Sequence, residues 1–245
     1  MRREAEKPAT VDGGSAVIPR LTPHPSRLTA QPELLIFDWD GTLADSAGLI
    51  VSTTQAAIRD LGLPPRENHQ ISELIGLGLE DGMRRLYPEF DPRWVMQQLM
   101  LHRRESGLKI HSTPLFEGAA EALAALRDLG FRLAVATGKP RSGLEGAFDD
   151  HGHVRPLFEL SRCADETADK PHPLMLEEIL RETGVAADRA LMIGDTEYDV
   201  AMAQAIGMPA LGVACGVHAP GRLHQAGAMA VVDGVHALPV WLTGR

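Results

Sequence analysis

The sequence predicts an α/β fold, in which a Rossmann-like parallel sheet carries helices on both faces and a small helical domain follows the first strand. From residue 113 onward, short apolar runs alternate with stretches of helical periodicity, a pattern typical of a parallel sheet covered by helices. Residues 46–112 show helical periodicity without a strand-like run. Of the 245 residues, 44% are hydrophobic, which is enough for a sizeable core.

The segment at residues 1–31 is rich in Pro, Gly, Ala and charged residues and has no apolar run like that of a signal peptide. We expect it to be a disordered tail, because such a composition buries too little apolar surface to order itself. The α/β core is then expected at residues 32–45 and 113–245, and the helical insert at residues 46–112.

Five short apolar runs are expected to form the strands of the sheet. The first opens "LLIFDWDGTLADS" (34–46), where four apolar residues run directly into Asp38. The other four are "FRLAVAT" (131–137), "ALMIGD" (190–195), "ALGVACG" (210–216) and "AMAVVD" (228–233). Continuous apolar runs of this length suit parallel strands that are buried on both faces.

Three segments between these strands have the spacing of amphipathic helices, and each ends at a glycine. They are "EGAAEALAALRDLG", "HPLMLEEILRETG" and "EYDVAMAQAIG", which end at Gly130, Gly184 and Gly207. Glycine at this position is typical of a helix C-terminus, because it tolerates the left-handed backbone conformation.

The insert is predicted to be entirely helical. Helical spacing recurs in "AGLIVSTTQAAIRDLG" (47–62), "LEDGMRRLYPEF" (79–90) and "PRWVMQQLMLHRRES" (92–106). Pro64, Pro65, Pro88 and Pro92 punctuate these segments, and proline interrupts or begins helices.

The formal net charge of −9 argues against nucleic acid as a partner, because phosphate binding needs clustered cations. No stretch is apolar enough to span a bilayer, so no membrane partner is expected. The two cysteines, Cys163 and Cys215, have neither disulfide nor zinc-site spacing. The compartment predicted is therefore the reducing cytoplasm.

Polar residues follow three of the predicted strands, at the edge where ligands bind in an open parallel sheet. Asp38 and Asp40 follow the first strand, Thr137 ends the second, and Asp195 ends a later one. Carboxylate oxygens suit Mg²⁺, which prefers an octahedral oxygen shell. The sequence therefore predicts a magnesium site at this edge.

A phosphate site is predicted beside these carboxylates. The Thr137 hydroxyl, backbone N–H groups near Gly138 and the Lys170 ammonium can hold phosphate oxygens. A carboxylate can attack phosphorus, and a second acid can protonate the leaving oxygen. Taken singly, each group has a structural alternative: a turn for the Asp-Gly pair, a solvated surface position for Lys170 and a helix N-cap for Asp195.

Four motifs, in this order, resemble those of the haloacid dehalogenase superfamily in its phosphatase branch, with phosphoglycolate phosphatase-like members the most similar. They are "DWDGT" (38–42), "TGK" (137–139), Lys170-Pro171 and "GDTEYD" (194–199). The resemblance covers residues 33–235 and implies that residues 46–112 form a helical cap.

The resemblance implies a role for each matching residue. Asp38 would be the nucleophile and a Mg²⁺ ligand. Asp40 would be the general acid and base, and its backbone carbonyl would also contact the metal. Asp195 would complete the protein ligands.

The same resemblance implies that Thr137, Gly138 and Lys170 bind the transferring phosphoryl group. Asp199 would orient Lys170 or a metal-bound water, and Thr42 of the first motif would support the site. For Asp199, an alternative is an exposed acid in the first turn of a helix, where the helix dipole favours negative charge.

We therefore predict a Mg²⁺-dependent phosphatase, a phosphoric monoester hydrolase that acts on a small phosphorylated metabolite of the phosphoglycolate kind through an aspartyl-phosphate. A phosphomutase of the same superfamily and a nucleotide or sugar phosphatase are the alternatives. A non-enzymatic binding member is less well supported, because such a member is expected to lose a catalytic residue and none is lost here.

Two features depart from the family pattern. Trp39 is bulkier than the aliphatic residue usual between the two acids, and could alter packing beside the phosphate. The cap segment "ISELIGLGLEDGMRRL" (71–86) lacks a basic residue directly before its glycines. Arg84 and Arg85 are then candidates for substrate contact, with a salt-bridged surface as the alternative. The segment "HRR" (102–104) is expected to be a solvated helix face, with a substrate contact as the alternative.

Overall fold

The computed structural model describes residues 31–105 and 113–244. Six parallel strands form one sheet in the order β3-β2-β1-β4-β5-β6, which is the strand order of the doubly wound Rossmann fold. The predicted α/β fold with a parallel sheet is confirmed. Residues 1–30 of the predicted tail and residues 106–112 of the predicted insert lie outside the described residues.

The first strand is central to the sheet, and all four of its side chains are buried. It pairs with β2 on one side and with β4 on the other. The strands are β1 Leu34–Phe37, β2 Arg132–Thr137, β3 Leu160–Cys163, β4 Ala190–Gly194, β5 Ala210–Val213 and β6 Ala230–Val232.

Helices cover both faces of this sheet. Glycines with positive φ follow the ends of five of them, and those at Gly130, Gly184 and Gly207 are the three that the sequence predicted. The helices of the α/β part are α5 Ala119–Asp128, α6 Arg141–Asp150, α7 Leu174–Thr183, α8 Glu197–Gln204, α9 Pro220–Ala226 and α10 Leu238–Thr243.

Alternate residues of β1 enter two separate hydrophobic clusters, because successive side chains of a strand point to opposite faces. Leu35 and Phe37 lie in the cluster with Trp39 and the buried faces of α5 and α6. Leu34 and Ile36 lie in the other, with the buried residues of α7 and α8. The strand is therefore held from both sides, which fixes the position of the residue that follows it.

The described residues between β1 and α5, 38–105 and 113–118, contain four helices. They are α1 Ala47–Asp60, α2 Asn68–Ser72, α3 Leu79–Leu86 and α4 Pro92–Glu105. Their apolar faces form a third cluster of their own, centred on buried residues such as Ile58, Tyr87 and Leu99. The assignment of residues 46–112 as a cap domain stays a prediction, which these helices support.

One strand was not predicted from the sequence. β3 lies at the edge of the sheet and pairs only with β2. Its Arg162 points to partners on α7, with Nε 2.8 Å from Glu178 Oε2. Because an edge strand can carry polar residues, the apolar run that marks the other strands is missing here.

Among the described residues, no helix is both long enough and apolar enough to cross a membrane. Cys163 is a buried core residue and Cys215 is partly buried against the same cluster. Burial raises the pKa of the Cys163 thiol to about 12.

Candidate active site

The candidate site lies where β1, β2 and β4 end at the same edge of the sheet. The register aligns Phe37 with Val135 of β2 and with Ile193 of β4. Asp38 follows directly, and its backbone N–H donates to the Ile193 carbonyl oxygen at 2.9 Å. The connections reverse direction between β1 and β4, so Asp38 stands at the switch point where ligands of such sheets bind.

Three buried carboxylates meet at this point. Carboxylate oxygens of Asp38, Asp195 and Asp199 all lie within 4.8 Å of one another, and none of the three residues is more than 1% exposed. Burial raises the pKa of Asp38 to about 7, and neighbouring carboxylates add to the effect while Lys170 opposes it. Burial likewise raises the pKa of Asp195 to about 8, with further contributions from Asp38 and Asp199.

Lys170 is fully buried between two of these carboxylates. Its Nζ lies 2.9 Å from Asp38 Oδ1 and 2.6 Å from Asp199 Oδ1. Burial alone would lower the pKa of Lys170, but the charges of Asp199 and Asp38 outweigh it and the pKa is raised. The ammonium therefore stays charged and carries its positive charge into the centre of the site.

Asp199 is fixed by the start of α8. Thr196 is the N-cap of this helix, and its hydroxyl and backbone N–H donate to Asp199 Oδ2 at 2.7 and 3.1 Å. This capping box leaves Oδ1 of Asp199 to face Lys170. Asp199 lies in the first turn of α8 but is fully buried, so the alternative of an exposed first-turn acid is wrong. Its contact with Lys170 is consistent with the expected orienting role, which stays a prediction.

The donor set fits a divalent cation bound through oxygen. The cluster holds three carboxylates, and Lys170 contacts two of them. Oδ2 of Asp38 is buried without a hydrogen-bond partner in the described part of the chain. A hard cation with oxygen ligands would satisfy that atom and offset the repulsion among the acids. The Asp40 carboxylate lies outside this cluster. The expected contact between Asp40 and the metal would therefore be made by the backbone carbonyl of Asp40.

Asp40 faces a cation that the sequence reasoning did not assign to the site. Lys139 Nζ lies 2.9 Å from Asp40 Oδ1, and both side chains are largely buried. Lys139 is the third residue of the predicted Thr-Gly-Lys motif. Its position two residues after Thr137 is the sequence signal that could have identified it as a residue of the site. The ion pair fixes the position of the Asp40 carboxylate.

The turn after Asp38 brings the first and fourth motifs into contact. Gly41 has φ +81°, and a Cβ added there would lie 2.3 Å from Asp195 Oδ2, so only glycine fits. The Thr42 hydroxyl donates to Asp195 Oδ1 at 2.8 Å, and the Val217 N–H donates to Oδ2 at 2.9 Å. Thr42 therefore holds the Asp195 carboxylate in place.

Trp39 points away from the carboxylates. Its side chain is fully buried in the hydrophobic cluster that contains Phe37, and its ring packs edge-on against Phe148 at a centroid distance of 5.3 Å. Its bulk therefore fills the core behind the catalytic turn. Trp39 is not among the described residues that line the cavity at the site.

Thr137 and Gly138 lie at the end of β2, next to Asp38 in the sheet. Thr137 is fully buried, and its Oγ1 accepts a hydrogen bond from the Lys139 N–H at 3.2 Å. A Cβ added to Gly138 would lie 3.1 Å from the Gly76 carbonyl oxygen and 3.2 Å from that of Leu77. The glycine therefore lets the loop before α3 lie directly on the predicted phosphate-binding motif.

A cavity of about 210 Å³ lies between this loop, the insert helices and the sheet edge. It is smaller than pockets for drug-sized ligands, which span about 300–1,000 Å³. Asp38, Asp40, Gly138 and Lys139 form its floor. Its size and its position over Asp38 suit a small ligand that reacts at this carboxylate.

Among the described arginines of the insert, Arg103 lines this cavity. The prediction that residues 102–104 form a solvated helix face is therefore wrong for Arg103. Arg84 is an exposed residue that pairs with Asp81 and with Glu80. Arg85 donates to the Tyr198 hydroxyl at 3.3 Å and lies over that ring. Neither Arg84 nor Arg85 lines the cavity in the described structure, so the surface alternative holds for Arg84.

The chain matches the model of a protein family described as haloacid dehalogenase-like hydrolase over residues 35–213. It is 36% identical over 205 residues to "Probable phosphatase IndB" of Dickeya dadantii, which covers 82% of this chain and 89% of that protein. It is 33% identical over 216 residues to a plasmid-encoded phosphoglycolate phosphatase of Cupriavidus necator, which covers 85% of this chain and 92% of that protein.

The fold is also found in solved structures. A crystal structure described as "a predicted phosphatase" from Clostridium acetobutylicum superposes with a TM-score of 0.77 at 24% identity, covering 88% of this chain and all of that one. At 24% sequence identity, this similarity shows a shared fold.

Proposed function

Because the chain belongs to the haloacid dehalogenase-like hydrolase family, we propose that it hydrolyses a small phosphomonoester of the phosphoglycolate kind, with Mg²⁺ as its cofactor. The predicted enzyme class, a phosphoric monoester hydrolase, is confirmed by this family and by relatives named as phosphatases. The observation that carries the finer proposal is Asp38, which stands buried at the switch point, 2.9 Å from Lys170 and on the floor of the cavity.

Asp38 is the proposed nucleophile. Its carboxylate oxygen attacks phosphorus and forms an aspartyl-phosphate while the bond from phosphorus to the leaving oxygen breaks. Only the ionised carboxylate can attack. Lys170 favours that ionised form by lowering the pKa of Asp38 against the effect of burial.

Asp40 is the proposed general acid and base. It lies two residues after the nucleophile and lines the same cavity, where it can give a proton to the leaving oxygen. In the second step it takes a proton from the water that attacks the aspartyl-phosphate, and Asp38 is released with inorganic phosphate. Lys139 holds the Asp40 carboxylate in position throughout.

Mg²⁺ would be held by the carboxylates of Asp38 and Asp195 and by the backbone carbonyl of Asp40, and when bound it would neutralise negative charge on the transferring phosphoryl group. Lys170 contributes a second positive charge to that group. The Thr137 hydroxyl and the N–H of Gly138 are the proposed donors to the remaining phosphate oxygens.

Residues 46–112 are the proposed cap. The loop at Gly76 and Leu77 lies on Gly138, and the insert helices close the cavity over Asp38. A closed cap keeps bulk water from the aspartyl-phosphate and limits the size of the leaving group. The cytoplasm remains the proposed compartment, and a small phosphorylated metabolite the proposed partner.

The proposal is tested by phosphate release from p-nitrophenyl phosphate and from a panel of small phosphometabolites, with Mg²⁺ and with a chelator. We expect release with Mg²⁺ and none in the chelator. Release of free phosphate, rather than a rearranged phosphate ester, separates a phosphatase from a phosphomutase. No release from any ester in the panel would overturn the proposal.

A further inference from the structure

The part of the cavity beyond the catalytic carboxylates is lined almost entirely by aliphatic side chains of the insert. They include Ile50, Ile71, Leu74, Met83 and Leu99. Such a wall offers no hydrogen bonds to a ligand. A leaving group with several hydroxyls, such as a sugar, would leave them unpaired against this surface, which is unfavourable.

Among the insert residues that the structure describes, two polar side chains interrupt this wall, and they contact each other. Arg103 lies in the last turn of α4, and its Nη2 donates to Thr54 Oγ1 of α1 at 3.3 Å. Its Nε atom is buried. The hydrogen bond fixes the guanidinium on the insert side of the cavity, where it can meet a ligand that is bound to Asp38.

Arg103 and Asp40 line the same cavity. Asp40 is the proposed proton donor to the leaving oxygen, so the leaving group extends from Asp40 into the cavity that Arg103 also lines. Burial lowers the pKa of Arg103, while the charge of Asp40 opposes that effect. A guanidinium remains charged after such a shift, since its ordinary pKa lies far above neutral pH.

Resting on the proposed phosphatase function, we propose that Arg103 determines substrate specificity by binding a carboxylate on the leaving alcohol. The alcohol it selects has an apolar carbon skeleton that fills the aliphatic wall between the leaving oxygen and the carboxylate. A guanidinium suits this task because it binds a carboxylate through two parallel hydrogen bonds. Phosphoglycolate, with a single methylene, leaves most of the aliphatic wall uncovered.

The test compares four substrates with the full chain and Mg²⁺: the phosphate ester of 4-hydroxybutanoate, the corresponding primary amide, phosphoglycolate and glucose 6-phosphate. The variants are Arg103→Gln and Arg103→Lys, with Arg104→Gln as the matched control, because Arg104 is the exposed neighbour on the same helix. Circular dichroism and thermal melting report on the fold of each variant.

For the wild type, we expect kcat/KM to be about tenfold or more higher for the butanoate ester than for its amide, mainly through KM. The kcat/KM of the butanoate ester should also be higher than those of phosphoglycolate and glucose 6-phosphate. Arg103→Gln should reduce the ratio of acid to amide to about one to two, Arg103→Lys should keep an intermediate ratio, and Arg104→Gln should keep the wild-type ratio.

An acid-to-amide ratio near one in the wild type, or a ratio unchanged in a folded Arg103→Gln, would overturn the inference. If glucose 6-phosphate or phosphoglycolate had the highest kcat/KM of the four substrates, the inference that the preferred alcohol has an apolar carbon skeleton would be overturned. Hydrolysis of p-nitrophenyl phosphate by the wild type separates the two proposals. If this ester is hydrolysed, an acid-to-amide ratio near one refutes only the role of Arg103. If no ester is hydrolysed, the phosphatase proposal itself fails.

Discussion

Asp38 combines burial, a neighbouring cation and a strand that is held on both faces. These properties fix its carboxylate at one place and keep water away from it. The chemistry proposed for this residue depends on its charge, whereas its packing depends on its shape. A substitution that removes only the charge can therefore separate the two.

We predict that Asp38→Asn lowers turnover of p-nitrophenyl phosphate by about 10³-fold or more, because an amide cannot form the aspartyl-phosphate. The fold should survive, since Lys170 keeps Asp199 as a partner. Steady-state phosphate release and circular dichroism check both statements. A folded variant with the wild-type rate would refute the nucleophile assignment.

Asp40 should matter most when the leaving group needs a proton. We predict that Asp40→Asn costs about 10²–10⁴ in rate on an alkyl phosphate, and less on p-nitrophenyl phosphate, whose leaving group departs without protonation. The measurement is kcat/KM for the two substrates with each enzyme. Equal losses on both would limit Asp40 to metal binding and to its ion pair with Lys139.

The loop before α3 is the element through which the insert reaches the site. Its carbonyl oxygens at Gly76 and Leu77 lie against Gly138, so the backbone of the insert packs on the phosphate-binding motif without an intervening side chain. A methyl group at Gly138 would have to displace this loop.

We predict that Gly138→Ala lowers kcat/KM about tenfold or more, because small displacements near a reacting centre are costly. Gly221→Ala is the control, since a Cβ there meets nothing within 4 Å. That variant should keep the wild-type kcat/KM. Equal activity of the two variants would show that the loop does not need its present contact.

The elements that the sequence predicted are those with a strong local signal. β1 and β4 are continuous apolar runs, and α7 has an amphipathic face that ends at Gly184. β3 lacked that signal because its side chains at the sheet edge are partly polar. α6 was also missed, since its two glycines and three acids obscure the periodicity of Leu144, Ala147 and Phe148.

The candidate site was predictable where motifs lie at strand ends, because topology alone brings those ends together. This covers Asp38, Thr137 and Asp195. Arg103 could not be predicted in this way, because its position depends on how α4 packs on α1 and on which turn of α4 faces the cavity. Such packing is set by tertiary contacts and not by spacing along one helix.

At the scale of the whole molecule, the acidic cluster links activity to a cation. We predict that a chelator abolishes phosphate release and that Mg²⁺ restores it. Ca²⁺ should not replace Mg²⁺, because it prefers more ligands and a looser geometry. Activity assays with each ion in turn check this, and full activity in the chelator would remove the metal from the mechanism.

The same cluster should make the stability of the chelated protein depend on pH. Asp38 and Asp195 have pKa values raised to about 7 and about 8, so between roughly pH 4 and pH 8 the folded state holds protons that the unfolded state has released. Their contribution to the free energy of unfolding therefore falls as pH rises through this window. Near pH 4 the two carboxyls are protonated in the folded state and about half protonated in the unfolded state, so the contribution is small.

We predict that Asp38→Asn, in the presence of chelator, raises the Tm relative to wild type at pH 8 and changes it little near pH 4. The gain in the free energy of unfolding at pH 8 should be on the order of 2–4 kcal/mol. Asp128→Asn, at an exposed position, is the control and should show no such trend. A Tm difference between Asp38→Asn and wild type that is independent of pH would contradict the role of the buried charge.

The central position of β1 has a consequence for the order in which the protein is made. Leu34 pairs with Arg132 of β2 and with Ala190 of β4, so the strand that leads into Asp38 leaves the ribosome long before either neighbour has been translated. The insert helices, which share a hydrophobic cluster of their own, emerge directly after it. A nascent chain that stops before Asp195 lacks part of the acidic cluster, and catalytic competence therefore arrives only late in translation.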